Sequence, residues 1–166
     1  MQLSSKGRYA VMAMADLARY SQGEIVPLAA IAARQQLSLS YLEQLFSKLR
    51  RAGLVESSRG PGGGYRLKFE AHDISISDIM RAVEEPVKMT RCHLDLENTG
   101  GCVGDSRCLT HDLWRALGDH IAGFLGSVSL GDVIDNAFAK ELMSGMAGHA
   151  DSQLDEEAPR DAAAGG

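Results

Sequence analysis

The chain has 166 residues, 45% of them hydrophobic, enough for one core of ordinary size. No apolar run approaches the roughly 20 residues of a membrane span, and the start, MQLSSKGRYAVMAMADLARYS, is interrupted by Arg8, Asp16 and Arg19, unlike a signal peptide. A cytoplasmic chain with no membrane partner is therefore expected. The net charge of −5 divides unevenly: residues 1–70 carry ten Lys/Arg against five Asp/Glu, and residues 71–166 seven against seventeen. That division suggests a polyanion-binding N-terminal part joined to a part with another task, the plainer alternative being an unevenly charged surface.

The stretch SSKGRYAVMAMADLARYS reads as a helix, with Ser4 or Ser5 as cap and Val11, Met14, Ala15, Leu17 and Ala18 as its apolar face. VPLAAIAARQQ reads as a second helix, with Pro27 suited to its first turn. LSLSYLEQLFSKLRRAGL gives a third. Ser40 and Glu43 fit a capping box there, with Ser38 as the alternative cap, and Gly53 is placed to end the helix. Leu42, Leu45, Phe46 and Leu49 make its apolar stripe. The opposite face presents Tyr41, Glu43, Gln44, Ser47, Lys48 and Arg51. Two short helices, the second with a hydrogen-bonding outer face, form a helix-turn-helix pattern. A helical hairpin with a wet surface is the competing reading.

The next stretch, SSRGPGGGYRL, places four glycines and a proline at positions 60–64. The pattern fits a phosphate-binding loop poorly: the Gly-Lys-Ser/Thr ending is absent, and Tyr65 stands where a dinucleotide fingerprint needs glycine. LVESS before it and YRLKF after it alternate like strands. The glycines then serve a hairpin tip, stiffened by Pro61. A basic hairpin after a helix-turn-helix is a wing, from which Arg59, Arg66 and Lys68 can reach phosphates or a narrow minor groove.

ISISDIMRAVEEP reads as a further helix ended by Pro86. After an irregular stretch, DLWRALGDHIAGFLGSV forms a longer helix with Leu113, Trp114, Leu117, Ile121, Phe124 and Leu125 on one side. SLGDVIDNAFAKELM adds a last short helix. Residues 144–166 lack periodicity and are expected to be a disordered acidic tail. The fold class is mostly α with a small β-hairpin wing: a winged helix-turn-helix followed by a long C-terminal helix.

The irregular stretch holds all three cysteines, Cys92, Cys102 and Cys108, with His111 close behind, among Gly, Asn, Asp and Ser. Their clustering in a reduced compartment points to metal or redox chemistry. Zinc sites favour cysteine pairs two to four residues apart. The wide gaps here suit an iron–sulfur core better. His93 is a second candidate imidazole, whereas His72, His120 and His149 read as surface or interface histidines.

With SSKGRYAVMAM, LSLSYLEQLFSKLRRAGLV, RGPGGGYRL and CLTHDLW in view, the chain resembles the IscR family of iron–sulfur cluster regulators over about its first 135 residues. The resemblance implies a dimeric winged-helix transcription factor, not an enzyme. It implies a 2Fe–2S cluster on three cysteines and a histidine, which by motif are Cys92, Cys102, Cys108 and His111. Nine residues separate Cys92 from Cys102, more than the family usually has. Each doubling of a loop adds only about 0.6 kcal/mol to its closure.

The expected organisation is a DNA-binding domain at 1–86, a cluster loop at 87–111, a dimerisation region at 112–143 and the tail at 144–166. The expected DNA-binding residues are Ser40, Tyr41, Glu43, Gln44, Ser47, Lys48, Arg51, Arg59 and Arg66. The expected partners are palindromic double-stranded operator DNA, a second copy of the chain and the cluster-assembly machinery as donor. The expected function is regulation, mainly repression, of iron–sulfur biogenesis genes. The rivals are a nitric-oxide- or redox-sensing regulator of the same fold and, in another class, a cluster carrier or redox protein. A carrier has no need of a basic wing.

Overall fold

The computed structural model describes residues 5–21, 23–85 and 108–137. Three helices open the chain: α1 Ser5–Ser21, α2 Leu28–Gln35 and α3 Leu39–Arg51. A two-stranded antiparallel hairpin follows, β1 Val55–Ser58 and β2 Gly64–Leu67, with Val55 opposite Leu67 and Ser58 opposite Gly64. A 3₁₀ turn, Ala71–Asp73, leads into α4 Ile76–Ala82, and the described chain resumes before α5 His111–Ser127 and α6 Leu130–Ile134.

The buried face of α1 is centred on Ala10, Ala13, Met14 and Leu17. It is rotated from the expected face, so that Val11, Ala15 and Ala18 are only half-buried. Asp16 turns inward with them and is 4% exposed. A buried carboxylate needs partners. Arg34 of α2 donates to both its oxygens, at 2.6 Å through Nη2 and at 3.0 and 3.1 Å through Nε, and Gln35 Nε2 adds a bond of 2.7 Å. This network joins α1 to α2, and the Arg34 guanidinium also lies 4.4 Å from the centre of the Tyr20 ring.

Pro27 is the N-cap of α2 and not a residue of its first turn, with φ −64° and an extended ψ of 137°. The turn between α2 and α3 depends on Gln36, which takes the left-handed conformation at φ 54°. The end of α3 is a Schellman turn. Gly53, at φ 78°, donates to Arg50 O at 3.0 Å, and Leu54 N–H donates to Leu49 O at 3.0 Å. All four residues of the expected α3 stripe are buried. They meet Met14, Leu17, Ile31, Val55, Ile74 and Ile79 in one core.

Beside buried Val55, a backbone bridge ties the wing to this core. Val26 N–H donates to Tyr65 O at 2.8 Å, Tyr65 N–H returns a bond of 2.9 Å to Val26 O, and the Tyr65 ring packs 4.9 Å from Phe46. Gly64 lies directly on this bridge, where a Cβ would run into the Val26 carbonyl.

Helix α4 ends at Ala82, four residues before Pro86, because Glu84 turns left-handed at φ 60°. Two capping boxes, Ser75 with Asp78 and Ser129 with Asp132, start α4 and α6 side by side. Between them Ile76 N–H donates to Val128 O at 2.9 Å and Leu130 N–H to Ile74 O at 2.8 Å. Leu130 thereby returns to the main core, fully buried. His72 lies over Gly131, with Nδ1 3.7 Å from Asp132 and Nε2 3.3 Å from Asp135.

Candidate nucleic-acid interface

Helix α3 projects its polar face because its apolar stripe faces the core. Its N-terminus is capped by Ser38, whose Oγ accepts from Tyr41 N–H at 3.1 Å. Ser40 and Glu43 therefore do not form the capping box that their spacing allowed. Both are exposed, as are Gln44 and Arg51. Leu39, the first residue of the helix, is exposed beside them.

Ser47 and Lys48 are half-buried on the same face. Tyr41 is half-buried as well, its ring edge-on to Tyr9 at 6.0 Å. Burial first, then the neighbouring Tyr9 and Glu85, pushes the Tyr41 phenol above its usual range. It stays neutral and can donate one hydrogen bond.

Hairpin geometry assigns the glycines two different duties. Gly60 and Gly62 carry positive φ, 103° and 79°, which an L-residue adopts only at a cost. Gly63 does not, but its missing Cβ would lie 2.6 Å from Ser58 O. Arg59 is exposed at the tip. Arg66 is drawn back along the hairpin to Glu56, its strand partner, with Nη2 2.8 Å and Nε 3.1 Å from Oε2. The Lys68 ammonium lies 5.7 Å from the exposed Phe69 ring. Arg50 Nη1 donates to Ser57 Oγ at 3.2 Å and fixes the wing against the end of α3.

Lys48 is also paired, with Glu84. That hydrogen bond is the main reason the Lys48 ammonium is raised and the Glu84 carboxyl lowered from their ordinary ranges. Glu84 carries no motif that marks it in the sequence. Its only signal was a pair of acidic residues directly after an apolar helix.

Of the four expected cluster ligands, Cys92 and Cys102 lie outside the described residues, as does His93. Cys108 and His111 stand together at the mouth of α5, where His111 N–H donates to Cys108 O at 3.1 Å. The half-buried Cys108 thiol is 3.6 Å from Thr110 Oγ1. A thiol and an imidazole one turn apart at a helix start suit a site that needs both donor types. Among the described residues no group of three potential ligands is assembled, and no helix is long and apolar enough to cross a membrane.

Residues 3–136 match Rrf2, described as iron-dependent transcriptional regulators. The chain belongs to the Rrf2 family. It is 57% identical over 142 residues to the HTH-type transcriptional regulator IscR of Vibrio campbellii, covering 86% of this chain and 82% of that one. Among solved structures, T. potens IscR superposes with a TM-score of 0.65 at 37% identity, covering 82% of this chain and 88% of that one. CymR, the global cysteine regulator of B. subtilis, superposes at 0.66 and 35% identity, over 82% and 98%. This Rrf2 protein is thus a winged-helix transcriptional regulator of the IscR type, a class that is not enzymatic.

Proposed function

We propose that this Rrf2 protein is a cytoplasmic repressor that senses iron–sulfur status through a 2Fe–2S cluster and controls cluster-biogenesis genes. The proposed organisation has residues 1–86 bind DNA, 87–111 hold the cluster, 112–143 dimerise and 144–166 form a tail. Tyr41, Gln44, Ser47 and Lys48 of α3 face the major groove, with Ser40 and Arg51 beside them, and Gln44 bonds adenine in two places. Glu43 repels phosphate but accepts from a cytosine amino group, so it filters sites. Arg59 enters the minor groove or meets phosphate. Two copies joined through α5 place their recognition helices on half-sites roughly 34 Å apart or a multiple of that.

The observation that carries the sensing half is the placement of Cys108 and His111 one helical turn apart at the start of α5. Together with Cys92 and Cys102 they make the donor set, and a bound cluster supplies a centre whose presence depends on iron and sulfur supply. Thiolate ligands must be deprotonated and the imidazole neutral to ligate. Occupancy alters transcription only if the loaded and empty forms differ in their affinity for operators. A regulator of this fold tuned to another signal is the nearest alternative, and His111 beside Cys108 favours the cluster.

Anaerobic purification with absorption spectra and iron and sulfide analysis tests this reading. Cys102→Ala and Cys108→Ala are expected to lose the cluster. His111→Cys is expected to keep one with a lower reduction potential, because an imidazole ligand raises it. Full iron and sulfide with an unchanged spectrum in both cysteine variants overturns the ligand set.

A further inference from the structure

Helices α3 and α4 end in the same kind of turn, with one difference in sequence. After α3 the left-handed position is Gly53; after α4 it is Glu84. The backbone bonds match: Glu84 N–H donates to Arg81 O and Glu85 N–H to Met80 O, both at 3.0 Å. Glycine is favoured at this place because it lacks a Cβ. A glutamate held there works against the backbone preference, so its side chain merits a reason.

The turn directs the Glu84 carboxylate onto Lys48, whose ammonium donates to Oε2. Lys48 lies one helical turn after Gln44 on the α3 outer face. The adjacent Glu85 meets Lys6 at the start of α1, Nζ to Oε1 3.5 Å. Lys6 and Arg51 also act on Glu84 through their charge. Two consecutive carboxylates thus hold cations from α1 and α3. A carboxylate oxygen on an ammonium engages the same donor that a phosphate oxygen would need.

We propose that Glu84 is an affinity-setting residue of the DNA interface: its carboxylate holds Lys48 in the free protein and has to be displaced before Lys48 takes a phosphate, and Glu85 acts likewise on Lys6. This rests on the DNA-binding reading above. The pair is built to exchange. The Glu84 side chain is 68% exposed and that of Lys48 27%. Exposed ion pairs hold weakly, which sets the effect at up to about five-fold in affinity. When the pair opens on DNA, the released carboxylate attracts a cation and cancels part of the counterion release, so the salt dependence of DNA binding is also blunted.

The test is anisotropy titration of the full chain on a random-sequence duplex over a KCl series, with Glu84→Gln, Glu84→Gly and each of these in a Lys48→Ala background. Glu84→Gly relieves the left-handed position whereas Glu84→Gln keeps it, so the two variants bracket any backbone effect, and thermal melts report the fold of both. Both single variants are expected to bind up to about five-fold tighter, with a salt slope steeper by up to about one unit. Neither is expected to gain when Lys48 is absent. An equal gain without Lys48 makes the effect one of net charge and overturns the proposal, as does wild-type affinity and slope in both single variants. If the wild type binds no duplex DNA, the DNA-binding reading fails and takes this proposal with it; if the wild type binds and the variants gain nothing, the proposal alone fails.

Discussion

Single residues carry most of the departures from ordinary backbone and packing rules in this fold, and they separate by mechanism. Gln36 is in the left-handed region at φ 54°, a conformation that costs a non-glycine residue roughly 1–2 kcal/mol. Gln36→Gly removes that cost but loosens the unfolded chain by about 0.4–1 kcal/mol. A net gain of about 0.5–1 kcal/mol is expected, seen as a higher denaturant midpoint at unchanged m-value. A lower midpoint would show that the Gln36 side chain itself holds the turn. Gly64 is the opposite case. It has no positive φ, yet a Cβ there meets the Val26 carbonyl, backbone that cannot swing aside. Gly64→Ala is expected to break the Val26–Tyr65 bridge and cost about 3 kcal/mol, the upper end for overpacking. Gly62→Ala, with open space around it, is expected to cost only its left-handed strain, about 1–2 kcal/mol.

Among elements, α3 and the wing differ in what their exposed groups are free to do. Gln44 makes no side-chain bond to a described residue, whereas Arg66 and Lys48 are held by Glu56 and Glu84. Gln44→Ala is expected to cost about 1–3 kcal/mol on a selected operator and little on random duplex, measured side by side by anisotropy. Equal losses would move this residue to the phosphate backbone. Arg59→Ala is expected to weaken every duplex alike, whereas Glu43→Ala broadens the range of sites recovered by selection. The α6 cap adds a pH dependence. Bonds from the Ser129 hydroxyl and backbone N–H hold the Asp132 carboxyl below its ordinary range, with His72 adding its charge. A lowered folded-state pKa gives stability that is present above the unfolded value of about 4 and lost as pH falls through the folded one. Ser129→Ala abolishes those side-chain bonds, so its stability deficit is expected to narrow below about pH 4 in acid titration of the melting temperature. A constant deficit would separate the cap from the titration.

The helices, the wing and the α3 stripe were legible in the sequence because each rests on local periodicity or on glycine chemistry. The Ser38 cap was readable only as one of two options, since Ser38 and Ser40 have the same chemistry and only the turn from Gln36 decides between them. The Asp16–Arg34–Gln35 network and the Lys48–Glu84 pair were not legible. They join residues 18 to 36 positions apart, and nothing in the local pattern of a charged residue tells which distant charge will face it.

At the scale of the whole molecule, α5 is the element that the other described residues leave least covered. Its seventeen residues bury only Gly118, while Leu113 is 62% exposed, Trp114 40% and Phe124 42%. Leu117 and Ile121 continue the same stripe at four-residue steps and are half-buried. Such a stripe, about 17 Å long, suits the proposed symmetric pairing with a second copy, in which one patch meets itself. Ile121→Glu tests it at a position well removed from Cys108 and His111. Burying a charge in the middle of an apolar seam costs more than the roughly 1.5–3 kcal/mol lost with the isoleucine contact itself. Sedimentation is expected to show a monomer with an unchanged helical spectrum. Separating the two copies removes the advantage of linked half-sites, so affinity for a palindrome is expected to fall on the order of 100-fold while binding to random duplex changes little. Retained iron and sulfide in that monomer would place the cluster within one chain; their loss would mean that pairing of α5 also shapes the mouth where Cys108 and His111 sit. A variant that remains dimeric and binds the palindrome as the wild type does would remove α5 as the seam.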